Sequence, residues 1–437
     1  MDWQLILVLF LGGVIVLMLT GMPVAFAFLF VCIIGTYVFY RGEVGLQHLI
    51  AGMRDSSGDF VLLPVFLFIL MGEVMFHSGI ASKALHAVDV WIGRVPGRLS
   101  LLAVGGGTVL SFLTGVTMAS TAILGELLVP EMEKQGYKKS MTLGPILGSG
   151  GLAMMVPPST MIVLLGTLAL VPIGKLLIGI IIPGLLMAAL YTAYIVIRCR
   201  LQPDIAPVYN VPPVPLSTKL ITFSKYILPL GGIVFLVSGV IILGVATPSE
   251  AAATGALGMF VLVACYGQLN RQLVKKTLIG ALQVSVMILM IVATAKVFSQ
   301  VLAASTVLRS AIQMILALPL GPILMLVAMQ VMVFLMGMFI PPTAIMMIAI
   351  PFFIPVVRAL GLDPVWFLII FCLNLEMATT TPPFGMNLFV MKGIAPKDTT
   401  MGDCYRAALP FLACDAIAMA LIIIFPSIAL WLPSVMN

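Results

Sequence analysis

Apolar residues run along this chain in long blocks rather than in the short alternations of a soluble fold. Eight blocks read as single helical spans: 4–21, 24–40, 60–76, 173–197, 220–245, 250–267, 277–302 and 404–433. A helix needs ~20 apolar residues to cross a hydrocarbon core ~30 Å thick. Four further blocks are apolar but broken. Residues 99–133 and 322–357 are interrupted near their middles by Gly, Thr and Pro. Residues 139–170 and 364–395 are interrupted by Pro157-Pro158 and Pro382-Pro383. Proline removes a backbone donor and disfavours helix at the residue before it. The pattern therefore predicts two re-entrant helical hairpins and two broken helices. Polar residues gather between blocks, as in 41–59 with Arg41, Glu43, His48, Arg54, Asp55 and Asp59. Residues 80–93 and 304–318 have the spacing of amphipathic helices lying in a membrane surface.

The interruptions repeat. Pro158 and Pro383, Pro130 and Pro355, Gly136 and Gly361, and Pro23 and Pro248 are all separated by one and the same interval along the chain. The hairpin middles follow at a slightly shorter interval, Gly115 and Thr121-Ala122-Ile123 recurring as Gly337 and Thr343-Ala344-Ile345. Such a series predicts a tandem structural repeat. The first repeat is 1–197, with its hairpin at 99–133 and broken helix at 139–170. The second is 220–437, with its hairpin at 322–357 and broken helix at 364–395. Residues 198–219 join them.

Composition narrows the class. Of 437 residues, 62% are hydrophobic and 9% charged, where a soluble domain carries ~25% charged. That excludes a large soluble catalytic domain or a nucleic-acid-binding module. The net charge of +6 is scattered in short loops, so it is a topology signal. Arg94, Arg98, Lys134, Lys138 and Lys139 flank the first hairpin, whereas Arg309 and Arg358 flank the second. The positive-inside rule then puts the first hairpin's base and the linker in the cytoplasm and the second hairpin's base outside. Each half has five spans and a hairpin, so the halves are inverted and both termini lie outside. Met1-Asp2-Trp3 lacks the basic start of a cleaved signal, so the first apolar run is expected to be retained. Six cysteines without a CxxC pair predict free thiols. The three histidines show no metal spacing, and no GxxxxGK[ST] loop is present to bind ATP phosphates.

The predicted fold is an all-α integral membrane protein with an inverted repeat. Paired broken helices in inverted repeats mark secondary transporters, with substrate and ion sites near the midplane. Irregular backbone is tolerated at that depth only where protein buries it or it lines a cavity. The breaks therefore locate the site. Their hydroxyls, freed carbonyls and glycines suit sodium, a hard ion that takes oxygen ligands, and half-helix N-termini suit an anion. Gly, Ser and Thr also pack membrane helices; their clustering at repeated breaks selects the functional reading. Glu73, Lys296, Glu376 and Asp415 are costly intramembrane charges. Glu73 and Lys296 are expected to pair or cap, Glu376 to orient the second break or to move protons, and Asp415 to face the interior.

Asn374-Leu375-Glu376, followed by Thr381-Pro382-Pro383-Phe384-Gly385-Met386-Asn387-Leu388-Phe389-Val390, resembles a signature of the large membrane subunit of tripartite ATP-independent periplasmic (TRAP) transporters. Thr20-Gly21-Met22-Pro23, Pro157-Pro158-Ser159 and Gly361-Leu362-Asp363-Pro364 resemble other stretches of that family, and the likeness covers essentially the whole chain. The resemblance implies an elevator transporter in the bacterial inner membrane, driving sodium-coupled uptake of an organic acid. It implies two or more sodium ions, a small four-helix membrane subunit, a periplasmic substrate-binding protein and surrounding membrane lipid. Carried onto this chain, the sodium ligands fall at Gly115, Thr117, Ser149 and Gly150, and at Gly337, Thr343, Thr380, Thr381 and Pro382. The substrate lies between the hairpin tips, near Thr117, Ser120, Ser159, Pro341, Thr343 and Asn387. Ser120 and Pro341 depart from the acidic residues many members carry there, which points from a sugar acid toward a small carboxylate or sulfonate. The competing expectation is a stand-alone sodium-coupled dicarboxylate carrier of related fold, working without a periplasmic partner. An enzyme would need catalytic residues at depth, which no His or Cys cluster supplies.

Overall fold

The computed structural model describes residues 3–435 except 41, 59–61 and 209–213; Arg41, Asp59 and the middle of the linker lie outside the described residues. The predicted apolar blocks are helical, and the described residues contain no strand. By length and composition six helices can cross a membrane, or eight if two sharply bent pairs each count once. The first two apolar helices, Trp3–Leu19 and Val24–Phe39, have 17 and 16 residues, at the short end of a spanning length.

Four blocks differ from the expected spans; 173–197 becomes Ile173–Gly179 and Ile181–Leu201. Residues 220–245 become a longer helical run, Leu216–Ile242, loosened by π-turns at Phe223–Ile227 and Phe235–Gly239. The block 404–433 divides into Met401–Ile424 and Ser427–Ser434, because Pro426 cannot continue the first helix. The block 277–302 extends to Arg271–Ala304, 34 residues long. Asn270 starts it, its side-chain oxygen accepting from Leu273 N at 2.8 Å. A helix also runs through Leu201 and another begins at Leu216, at the two edges of the linker.

The repeated prolines do set the repeated boundaries. The leading segments of the two broken helices are Lys139–Met155 and Pro364–Thr380, and their trailing segments are Thr160–Ala169 and Met386–Ile394. The first hairpin is Arg98–Thr114 and Thr117–Lys134; the second is Pro322–Gly337 and Pro342–Ala359. The leading segments, and the second arms of the hairpins, begin and end at the same interval that separates the repeated prolines. The tips do not match. Two residues, 115–116, turn the first hairpin, and four, 338–341, turn the second. The second hairpin's first arm stops early, at Gly337, while Pro342, which disfavours helix at Pro341, keeps the second arm at the common interval. Thr121 therefore lies in the second turn of its helix, while Thr343 lies in the first.

Packing crosses the halves. The two leading segments lie against each other. The trailing segment Met386–Ile394 packs on the first hairpin's second arm, and Thr160–Ala169 packs on the second hairpin's second arm. Gly125 permits the first of these contacts, since a Cβ there would lie 3.2 Å from Ile394. Beside this crossed core stands a second group of helices. Arg271–Ala304 runs along Leu63–His77, Val24–Phe39 and Glu43–Ser57, and Pro248–Cys265 also packs on Leu63–His77. Phe28 and Phe298 meet edge to face at 5.0 Å inside that group.

The two amphipathic helices appear where expected, as Ile80–Trp91 and Val307–Leu316. The first bends 72° from Leu63–His77 and is tied to the first hairpin. The Arg98 guanidinium lies 2.8 Å from Asp89 Oδ1 and donates to Asp89 O at 3.0 Å. At the foot of the first broken helix, Lys139 lies 2.8 Å from Asp398 and 3.5 Å from Asp403. Thr400 and Asp403 form a capping box at the start of Met401–Ile424.

Candidate functional site

The first hairpin tip is bolted to the first break. Gly115 ends Arg98–Thr114 at φ 59°, a conformation open to glycine at little cost. A Cβ at Gly115 would collide with Pro158 O. Gly115 O in turn accepts from Thr160 Oγ1 at 3.1 Å. Ser159 is fully buried and caps Thr160–Ala169, accepting from Ile162 N at 3.4 Å. Both Pro-Pro bonds at the breaks are cis.

Hydroxyls converge just behind this joint. Thr117, Ser120 and Thr121 are all buried on the helix that follows the tip. The Oγ1 atoms of Thr117 and Thr121 have no hydrogen-bond partner among the described residues, and neither does Ser111 Oγ. Thr121 Oγ1 lies against the α-carbon of Gly150, leaving no room for a side chain there. Ser149 turns the other way. Its hydroxyl donates to Pro145 O at 2.6 Å and packs on Gly107. Asn387, from the second break's trailing segment, reaches back to donate to Leu147 O at 3.5 Å. Its Oδ1 is buried and has no partner among the described residues.

The second break is built from carbonyls. Thr380 and Thr381 both donate to Met377 O, at 3.1 and 2.7 Å, and Thr379 donates to Glu376 O at 2.8 Å. Those hydroxyl protons are engaged inside the helix, so the oxygen lone pairs remain free to face a cation. A Cβ at Gly385 would lie 2.6 Å from Thr379 O, so only glycine fits there. Pro383 O accepts from Tyr405 OH at 2.9 Å. Gly337 packs its α-carbon on Ala378 and so fixes the second tip to this break. An amide pair adds to the joint, Asn374 Nδ2 donating to Gln330 Oε1 at 2.9 Å.

The predicted residues thus fall into two groups. Gly115, Thr117, Ser120, Ser159 and Gly150 gather around the first break with Asn387, and Gly337, Thr380, Thr381 and Pro382 around the second. Pro341 and Thr343 are half-buried at the second tip, and no side-chain hydrogen bond joins them to the first group among the described residues. Thr121 and Thr160 complete the first group but are absent from the expected ligand set. Thr121 was legible from its i, i+4 spacing to Thr117. The donor set is all oxygen without fixed charge. No group of three His, Cys, Asp or Glu that could hold a metal occurs among the described residues.

A cavity of about 420 Å³ opens beside the first tip. Val116, Met118 and Ala119 form one wall, and Glu73 and His77 from Leu63–His77 the other. Glu73 lies 3.3 Å from His77 and packs on Gly280. Asp415 faces the interior as expected, 1% exposed.

An all-helical chain with crossed broken helices has the fold of a multi-pass membrane transporter. The crystal structure of the Alcanivorax borkumensis YdaH transporter matches it with a TM-score of 0.61 over 88% of this chain and 89% of that one, at 17% identity. Residues 11–428 match the DctM component of the tripartite ATP-independent periplasmic transporters, and the chain belongs to that family of large permease subunits. The C4-dicarboxylate TRAP large permease of Pseudomonas aeruginosa is 29% identical over 87% of this chain and 88% of its own length. The ectoine TRAP large permease of Halomonas elongata is 30% identical over 95% and 96%. These relatives are transporter permeases, not enzymes.

Proposed function

We propose that the chain carries a small organic anion, a carboxylate or sulfonate, inward by sodium-coupled secondary transport. The observation that carries this reading is the pair of buried hydroxyls of Thr117 and Thr121, without partners among the described residues, the second of them against Gly150. Buried polar atoms are normally paired, and a sodium ion travelling as cargo would supply the missing partner. Gly115, Thr117 and Gly150 would form one ion site, with Ser149 contributing through its backbone. Gly337, Thr343, Thr380, Thr381 and Pro382 would form the other. The substrate's charged group would meet Thr117, Ser120, Ser159, Pro341, Thr343 and Asn387 between the tips, where the Thr117–Lys134 and Pro342–Ala359 N-termini favour an anion.

In this reading the halves are inverted in the bacterial inner membrane. The hairpins re-enter it, and the crossed core moves as an elevator past the Leu63–His77 and Arg271–Ala304 group. Ile80–Trp91 and Val307–Leu316 brace the moving core from the membrane surface. A small four-helix subunit and a periplasmic binding protein complete the system, the latter delivering the substrate. The carboxylate assignment is supported by the C4-dicarboxylate relative. The expected test result is specific. Thr117→Val and Thr381→Val each keep the shape of the side chain and remove one oxygen. Each should raise the sodium concentration for half-maximal uptake about tenfold, the equivalent of ~1.4 kcal/mol, at unchanged membrane expression. Unaltered sodium dependence in both variants would refute the site.

A further inference from the structure

The two leading segments cross at a point where the repeat is chemically lopsided. Gly151 and Glu376 are equivalent positions, set apart by the interval of the repeated prolines, and they face each other: a Cβ at Gly151 would run into the Glu376 carboxylate. Glu376 is fully buried, and both of its carboxyl oxygens lack a hydrogen-bond partner among the described residues. Beside it, Tyr191 OH donates to Asp415 Oδ1, on two further helices that pack against this crossing. Tyr191 and Asp415 are also buried, and they too occupy near-equivalent repeat positions.

The titratable groups facing these carboxyls are few. Ile181–Leu201 supplies Tyr191, Met401–Ile424 supplies Asp415 and Cys414, and Pro364–Thr380 supplies Cys372 beside Glu376 itself. Lys139–Met155 contributes Gly151 and no ionisable side chain at this point. The ion pairs among the described residues involve neither Glu376 nor Asp415. A carboxylate in such a place is charged, dry and uncompensated, which is among the costliest arrangements a membrane protein can adopt. Two adjacent carboxylates add mutual repulsion. A neutral acid avoids both costs.

We infer that Glu376, with Asp415 and Tyr191 beside it, is a proton-binding site at the crossing of the two broken helices. The proton stays on Glu376 through the transport cycle, and the packing of the crossed core depends on it. Its loss puts a charge on the axis between the two breaks and stops movement of the core. The site lies one turn before the second break, since Thr379 Oγ1 bonds to Glu376 O. It therefore makes transport sensitive to alkaline pH without making protons a driving ion. The inference rests on the transport reading only through the uptake assay; its spectroscopic arm does not.

Glu376→Gln mimics the protonated acid in shape and cannot ionise. Uptake by this variant at neutral pH should stay within about threefold of wild type, and its loss at alkaline pH should be blunted. Asp415→Asn should alter the alkaline limb less, because Tyr191 keeps a partner. Infrared spectra of purified wild-type protein, glutamate labelled with carbon-13, should show the stretching band of a protonated, buried glutamic acid at neutral pH. That band should vanish in Glu376→Gln. Two results would overturn the inference: a Glu376→Gln protein that inserts normally but loses sodium affinity at every pH, or a wild-type spectrum without the protonated band. If the variant fails to insert, the wild-type band alone decides.

Discussion

Gly115→Ala should cost the transporter most of its activity while leaving it in the membrane. Alanine at a left-handed position costs about 1–2 kcal/mol, and Gly115 sits at φ 59°. The new methyl would also push on Pro158 O, displacing the break to which the tip is attached. The bond from Thr160 Oγ1 to Gly115 O would stretch or break, and a net hydrogen bond contributes about 0.5–1.5 kcal/mol. Together these amount to about 1.5–3.5 kcal/mol against the native tip, some 10- to 300-fold in the population of the intact site. Uptake at saturating sodium should fall by at least ten times. Fluorescence size-exclusion of the detergent-extracted protein should still give a single peak. Full activity in Gly115→Ala would mean that the tip geometry does not govern the site.

Arg98→Met should act through stability instead. Arg98 is buried, its side chain 8% exposed, and it holds Asp89, whose side chain is 28% exposed. Removing one partner of a buried pair leaves the other charge uncompensated, and such losses run to about 3–5 kcal/mol. Because Asp89 keeps some access to water, the lower end, ~3 kcal/mol, is expected here. Asp89 also feels its surroundings in the native protein, where burial raises its carboxyl above the usual range despite Arg98. The link between the amphipathic helix Ile80–Trp91 and the first hairpin would be lost. Thermal unfolding of Arg98→Met should begin several degrees lower, and Asp89→Asn in the same background should recover part of the loss by removing the stranded charge. A double variant no better than Arg98→Met would show that the packing of Arg98, not its charge, matters.

Much of the architecture was legible because prolines wrote it. Pro157-Pro158 and Pro382-Pro383 broke helices where the pattern required, and the leading segments they end match across the halves. The unequal tips were less legible: Gly115 and Gly337 suggested one register, but the second hairpin's first arm ends short of the common interval, at Gly337. Pro426 was visible too, yet the apolar run around it disguised a second break. The crossing of trailing segments onto opposite hairpins could not be read at all. It depends on contacts between opposite halves of the chain, for which composition and period carry no signal. The same is true of the site. Thr117, Ser120 and Gly150 were identifiable as residues at breaks, but which hydroxyls remain unpartnered is decided by neighbours. Ser149 Oγ is satisfied by Pro145 within its own helix, whereas Thr121 Oγ1 is left facing Gly150. Glu376 stood out as an intramembrane acid, but Gly151 as its opposite number emerges only when the two leading segments are laid together.

Sodium-driven uptake is the claim on which the rest depends, and a flux assay tests it most directly. The chain would be reconstituted in vesicles with the small membrane subunit and the periplasmic binding protein proposed for it, the latter outside, and no ATP. Accumulation of the labelled carboxylate or sulfonate that the binding protein takes up should require an inward sodium gradient and collapse when that gradient is removed. Accumulation of the same solute driven by a proton gradient without sodium, or by this chain alone without the binding protein, would contradict the account.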